Sequence, residues 1–199
     1  MKLLVAALES ELVAFPPVLT GFDRLVTGPG KLQATYALTR ALDAARYDEI
    51  VVVGTAGAID ERLDGTVYEI DAAIQHDVTD IDGIVGQHVS LPMRVELGAI
   101  PTEPDPRQEK LGGESVTIAT GDSFVDDSDA VAGIRLLGAG LVDMETYAYA
   151  WVAERFGIPI RVLKAVSDRA EDDAITDWRT TVTACSAQLR ERVRADYGV

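Results

Sequence analysis

Residues 143–168 read DMETYAYAWVAERFGIPIRVLKAVSD, and this stretch decides the fold. Met144, Tyr147, Ala148, Trp151, Val152 and Phe156 recur at i, i+3 and i+4 spacing, which predicts a helix from about Asp143 with one apolar face. Gly157 and Pro159 stop it, because glycine takes the left-handed position after a helix and proline cannot extend the ladder. IRVLKAVSD then reads as a buried strand. Working outward, KLLVAAL (2–8) and EIVVV (49–53) are short buried strands, and TVYEIDAAI (66–74) and SVTIAT (115–120) are strands as well. Leu38, Ala41, Leu42 and Ala45 mark a helix over 32–46. Residues 128–137 form another, with Asp127 or Ser128 at its start. A last one runs from about Asp177, with Trp178, Val182, Cys185, Leu189 and Val193 on one side. Strands alternating with helices predict an α/β fold, a largely parallel or mixed central sheet flanked by helices, as a single domain over 1–199. Residues 97–114, with three prolines within six residues, read as a surface loop.

Charge narrows the partners. The 199 residues carry 33 Asp and Glu against 18 Lys and Arg, a net charge of −15. Such a surface repels phosphate backbones and anionic lipids, so neither nucleic acid nor a membrane is expected as a partner. No stretch approaches the roughly 20 apolar residues of a membrane span, and the apolar start breaks at Glu9, which is not a signal-peptide pattern. A cytoplasmic location is the expectation. Cys185 is the single cysteine and is expected in the core. His76 and His88 have no metal-ligand spacing, and HDVTDID (76–82) matches no metal motif, so no metal and no cofactor are expected.

Ligands of α/β sheets bind at the carboxyl ends of strands. ALESE (7–11), VGTAGA (53–58), ATGDSFV (119–125), DME (143–145) and VSD (166–168) all fall there. Glu11 suits a general base on water, or equally a solvated first-turn residue. GTAGA reads as a small-residue turn after its strand, able to bring backbone N–H groups to a ligand. It is neither a dinucleotide fingerprint nor a P-loop. TGPGK (27–31) is similar. Phe124 suits stacking on a flat base, or core packing. Glu145 suits a ribose diol, or it answers the helix dipole while Asp143 caps the helix. Asp168, at a buried strand end, suits a carboxyl group that keeps its proton and acts as a general acid, or a turn residue.

Taken in order, ALESEL, TGPGK, VVVGTAGAI, ATGDSFV and the long 143–168 stretch resemble the nucleoside phosphorylase and nucleosidase superfamily. Within it they are most similar to the 5′-methylthioadenosine/S-adenosylhomocysteine nucleosidases. The resemblance implies roles. Glu11 matches the glutamate that activates water, and Asp168 the aspartate that protonates purine N7, with Ser167 orienting it. Glu145 matches the glutamate on the ribose 2′- and 3′-hydroxyls, and Met144 the methionine packed on the ribose. Phe124 matches the stacking aromatic, and Val125 the position whose backbone meets the base edge. Thr55 stands where a serine is usual, and Leu8 where methionine is common. Residues 76–114 carry none of these motifs. In the family that region and a neighbouring subunit shape the pocket for the 5′ substituent. A homodimer is implied, with Tyr36, Leu38 or the 97–114 loop available to meet a partner. Trp178 covers the pocket or packs in the core, and its helical stripe favours the core.

The residue types fit glycosidic cleavage. Loss of a purine leaves an oxocarbenium-like sugar and an anionic base, which call for a general acid at the base and a carboxylate near the sugar. The expected substrate is a purine nucleoside, 5′-methylthioadenosine or S-adenosylhomocysteine. A futalosine-type nucleosidase, a phosphate-dependent phosphorylase and a non-catalytic nucleoside binder are the alternatives. Phosphorolysis needs a cationic cradle, whereas TGPGK and GTAGA carry only Lys31, and a glutamate at position 11 repels phosphate.

Overall fold

The computed structural model describes residues 1–63, 67–78, 94–97, 116–170 and 174–199. The strands are β1 (Lys2–Ala6), β2 (Phe22–Val26), β3 (Glu49–Ala58), β4 (Val67–Gln75), β5 (Arg94–Glu96), β6 (Val116–Thr120), β7 (Leu141–Asp143) and β8 (Ile160–Asp168). The helices are α1 (Lys31–Ala44), α2 (Ser128–Arg135), α3 (Thr146–Phe156) and α4 (Ala174–Tyr197). His88 and nearly all of the expected 97–114 loop lie outside the described residues.

The sheet is mixed. β1 pairs in parallel with β2 and β3, β3 with β8, β4 with β6, and β6 with β7. β3–β7, β4–β5 and β4–β8 are antiparallel. These pairings close a circuit, β3–β8–β4–β6–β7 and back to β3. The mixed central sheet expected from sequence is present and curled on itself, so strand ends far apart in sequence converge.

Alternation along β1 and β3 feeds two of the buried clusters. Leu3, Val5, Ile50 and Val52 face α1 and α3, where they meet Ala34, Leu38, Tyr149 and Val152. Leu4, Ala6, Val51 and Val53 point the other way, onto Cys185, Leu189 and Val193 of α4. Both faces are covered, which is why these strands read as unbroken apolar runs rather than alternating ones. Cys185 is buried, and Leu38 is fully buried, so Leu38 is not available to a partner.

Two boundaries differ from expectation in ways that matter for the site, and one strand register slips. GTAGA is not a turn: β3 runs on to Ala58, because its small residues leave room for buried side chains from elsewhere. The helix foreseen from Asp143 starts at Thr146, since Leu141–Asp143 pairs with β6 and β3 as a strand. Gly157, at φ 64°, ends that helix as expected. The register of β8 against β3 slips between Ala56 and Gly57, leaving Ser167 as an extra residue. Such a bulge re-aims a side chain, and here it sets Ser167 and Asp168 over Gly57.

Candidate active site

Glu11 follows β1 in a short turn of 3-10 helix, Glu9–Leu12, and is only 4% exposed. Its Oε2 accepts from the Ala7 and Leu8 N–H groups at 3.1 and 3.0 Å. Its Oε1 accepts from Thr55 N at 2.7 Å and from Thr55 Oγ1 at 3.0 Å. A side chain at Gly54 would stand 3.1 Å from Glu11 Oε1 and 3.0 Å from Lys164 Nζ, so glycine there makes room for both.

Asp168 ends β8. Ser167 Oγ donates to its Oδ2 at 2.8 Å, and Ala170 N to its Oδ1 at 2.9 Å. A Cβ on Gly57 would sit 2.8 Å from Asp168 Oδ1, which explains the second glycine of GTAG. Burial pushes the Asp168 carboxyl above the usual range, against the pull of those two donors. The GTAG segment thus makes room for two carboxyl groups, and its Thr55, Ala56 and Gly57 also line the cavity described below. Glu11 meets β3 at Thr55 and Asp168 meets it at Gly57, two residues on. The strand rise makes that step about 7 Å.

At the start of α3, Asp143 Oδ2 accepts from Thr146 N, so the Glu145 carboxyl is not spent on capping. It turns inward and accepts from Gly30 N at 2.8 Å. Gly30 has φ 87°, a conformation that suits glycine in TGPGK. Burial, then the Asp143 charge, push Glu145 up to about 7.

Lys164 is a component that sequence reading missed. It is 3% exposed and bonds Asp143 at 2.8 Å. Burial opposes its charge, but Asp143, Glu145 and Glu11 hold its pKa above the ordinary value. The available signal was a lysine inside the apolar run IRVLKAVSD, since a lysine in a strand covered on both faces must be paired. Thr120, which donates to Asp143 at 2.7 Å, completes that cluster.

One cavity of about 230 Å³ gathers these groups. Leu8, Glu11, Thr55, Phe124, Val125, Met144, Glu145, Ser167 and Asp168 all line it, from the ends of β1, β3, β6, β7 and β8. Phe124 is 40% exposed, so its ring is not core and is open to a flat ligand, while Val125 beside it is buried. Trp178 also lines the cavity and donates its indole N–H to Thr55 Oγ1 at 3.0 Å, so core packing was the wrong expectation for it. The helical stripe holds for Val182, Cys185, Leu189 and Val193, but the first turn of α4 overhangs the cavity. Lys31 points away to Asp77 at 2.6 Å and Gln75 at 3.2 Å. Among the described residues, no group of three His, Cys, Asp or Glu stands together to hold a metal, and no helix is long and apolar enough to cross a membrane.

The arrangement has recognisable relatives. A 5′-methylthioadenosine/S-adenosylhomocysteine nucleosidase of Bacillus licheniformis is 36% identical over 155 residues, covering 73% of this chain and 67% of that one. Among solved structures, the nucleosidase of that name from S. pneumoniae, bound to a transition-state inhibitor, superposes with a TM-score of 0.81 at 22% identity, over 98% of this chain and 97% of that one. The futalosine hydrolase of Helicobacter pylori gives 0.81 at 17%, over 98% and 95%. These two likenesses speak for the fold. Residues 24–195 match the Phosphorylase superfamily, a span that takes in every strand from β3 to β8, and the chain belongs to that superfamily.

Proposed function

We propose that the chain is a nucleosidase that hydrolyses the N-glycosidic bond of a 5′-substituted adenine nucleoside, 5′-methylthioadenosine, S-adenosylhomocysteine or both. The observation that carries this reading is the pair of buried carboxyl groups Glu11 and Asp168 lining one cavity. A general acid and a general base on one cavity are the two groups that inverting hydrolysis of a glycosidic bond requires. Asp168 gives its proton to purine N7 as the C1′–N9 bond breaks. Water attacks C1′ from the opposite face and passes a proton to Glu11. Glu145 accepts from the ribose hydroxyls, Met144 packs on the sugar, and Phe124 stacks on the base beside Val125. Lys164 balances the carboxylates of Glu11, Asp143 and Glu145 around the cationic sugar.

Water is favoured over phosphate by the electrostatics. Glu11, Asp143, Glu145 and Asp168 line the cavity, and the nearby Lys164 is bound to Asp143. A phosphate dianion there meets carboxylates instead of a cationic cradle. The test is base release in phosphate-free buffer, and again with phosphate, from methylthioadenosine, adenosylhomocysteine, adenosine, inosine and a futalosine-type nucleoside. Adenine released from the first two without phosphate is the expected result. Release only with phosphate sinks the reading. Glu11→Gln should lower the phosphate-free rate about a hundredfold, the lower end of general-base catalysis. A variant fully active without phosphate removes Glu11 from the general-base role, and one active only with phosphate returns the site to phosphorolysis.

A homodimer is part of the same proposal. Leu32 and Tyr36, one turn apart on α1, are 84% and 70% exposed, just beyond the loop whose Gly30 holds Glu145. Two such side chains on one helix face suit burial against a second copy. Tyr36→Glu should shift sedimentation from dimer toward monomer and lower kcat/KM several-fold. A dimer unaffected by it puts the interface elsewhere.

A further inference from the structure

We propose that Trp178 is a positioning residue for hydrolysis: its indole N–H holds the Thr55 hydroxyl oxygen beside Glu11, so that the hydroxyl serves there as a donor and not as an acceptor. The inference rests on the hydrolytic reading above. An indole N–H only donates, and a hydroxyl has one proton. Thr55 Oγ1 accepts from Trp178 at 3.0 Å, so its own proton goes to Glu11 Oε1, also at 3.0 Å. The direction of the chain Trp178, Thr55, Glu11 is therefore determined by chemistry and not by choice of rotor.

This has a consequence at the base. A carboxylate offers about four lone-pair positions, and Glu11 meets four donors: Ala7 N, Leu8 N, Thr55 N and Thr55 Oγ1. Three are backbone groups held by β1, its following turn and β3. The hydroxyl alone can yield, by turning about its Cβ–Oγ bond, and when it turns Glu11 Oε1 is opened to a water proton. The indole N–H still occupies one lone pair of Thr55 Oγ1. The turned hydroxyl then donates toward the water oxygen, and the water gives its proton to Glu11. Without the indole N–H, Thr55 becomes a competing acceptor for that proton, and a hydroxyl is no base.

Trp178→Phe keeps an aromatic ring in the cavity wall and removes only the donor. The expected result is a kcat about five- to tenfold lower, the worth of one hydrogen bond, with KM within about twofold. Affinity for a non-hydrolysable nucleoside analogue should be unchanged, which also reports that the variant is folded. Thr55→Val should show a loss at least as large, and adding Trp178→Phe to it should cost nothing more, since the effect travels through that hydroxyl. An unchanged kcat in Trp178→Phe overturns the assignment. So does a loss repeated in full in the Thr55→Val background, or one matched by weaker analogue binding, both of which describe a mere wall residue. If Trp178→Phe does not fold, Thr55→Val decides, and wild-type kcat there overturns it. Wild-type base release without phosphate, measured alongside, separates the two levels. Its absence overturns both readings, whereas its presence with an unaffected Trp178→Phe overturns this one alone.

Discussion

Asp168→Asn will lower kcat by about 10³-fold, within the span of general-acid catalysis, and leave binding of a nucleoside analogue nearly intact. Adenine leaves as an anion unless a proton reaches it during bond breaking. Asp168 is 7% exposed, and burial raises its pKa, so it keeps a proton to higher pH than a surface carboxyl. Ser167 Oγ and Ala170 N fix the orientation of the group, in space that a side chain at position 57 would take. Asparagine has the same shape, keeps an oxygen for the Ala170 N–H, and can still donate to a purine nitrogen. It cannot transfer a proton. Binding and catalysis should therefore separate cleanly. The sign of the pH effect follows: wild-type kcat falls as pH rises through the raised Asp168 pKa, and the variant's residual rate lacks that limb. Calorimetry with the analogue and a spectrophotometric base-release assay measure the two quantities. Activity within tenfold of wild type removes Asp168 from the general-acid role.

The sequence disclosed elements wherever a residue's own neighbours settle its state. Gly157 and Pro159 end α3 through local backbone chemistry, and the apolar run at 49–53 is a strand because both its faces are covered. The site patches were legible because strand ends in α/β folds are where chemistry collects. What local reading could not supply was pairing between distant segments. The closure of β4 onto β8 and of β7 onto β3 depends on contacts about 85 to 100 residues apart, seen in Tyr68 against Lys164 and Gly57 against Val142. The same limit hid the meaning of GTAG. Glycine at 54 and 57 looks like a turn until Glu11, Lys164 and Asp168 are brought against it. Lys164 was passed over because periodicity treats a strand residue as core or solvent. Its charge is intelligible only beside Asp143, 21 positions earlier. Trp178 belongs to its helical stripe by spacing, yet α4 begins at Ala174, and that first turn reaches over the cavity to Thr55.

Glu145→Gln is expected to stabilise the protein while nearly abolishing its activity. Burial and the Asp143 charge push Glu145 up to about 7 from an ordinary value of 4.5. The folded state thus holds a proton that the unfolded chain has already released between those two values. The stability this group contributes is complete below about pH 4.5 and is lost as pH rises through about 7. At 1.36 kcal/mol per pKa unit, the cost to the folded state at pH 8 is at most about 3 kcal/mol. With the residue 6% exposed, solvent screening offers little relief. Glutamine is neutral at every pH and keeps an oxygen for the Gly30 N–H, so it should raise Tm at pH 8 by about 6 °C. The gain should vanish near pH 4.5. The same change turns an acceptor for two ribose hydroxyls into a group with one oxygen and one NH₂. Losing two hydrogen bonds to a charged acceptor, each worth about 1.5–3 kcal/mol, should reduce kcat/KM by about 10³-fold. Paired thermal scans at pH 8 and 4.5, set beside kcat/KM, test both halves. An unaltered Tm at pH 8 means that Glu145 ionises in the folded protein without penalty, and unaltered kcat/KM means that the sugar is held elsewhere. The combined outcome expected here is that a buried carboxylate is retained against the stability of the fold because the ribose requires it.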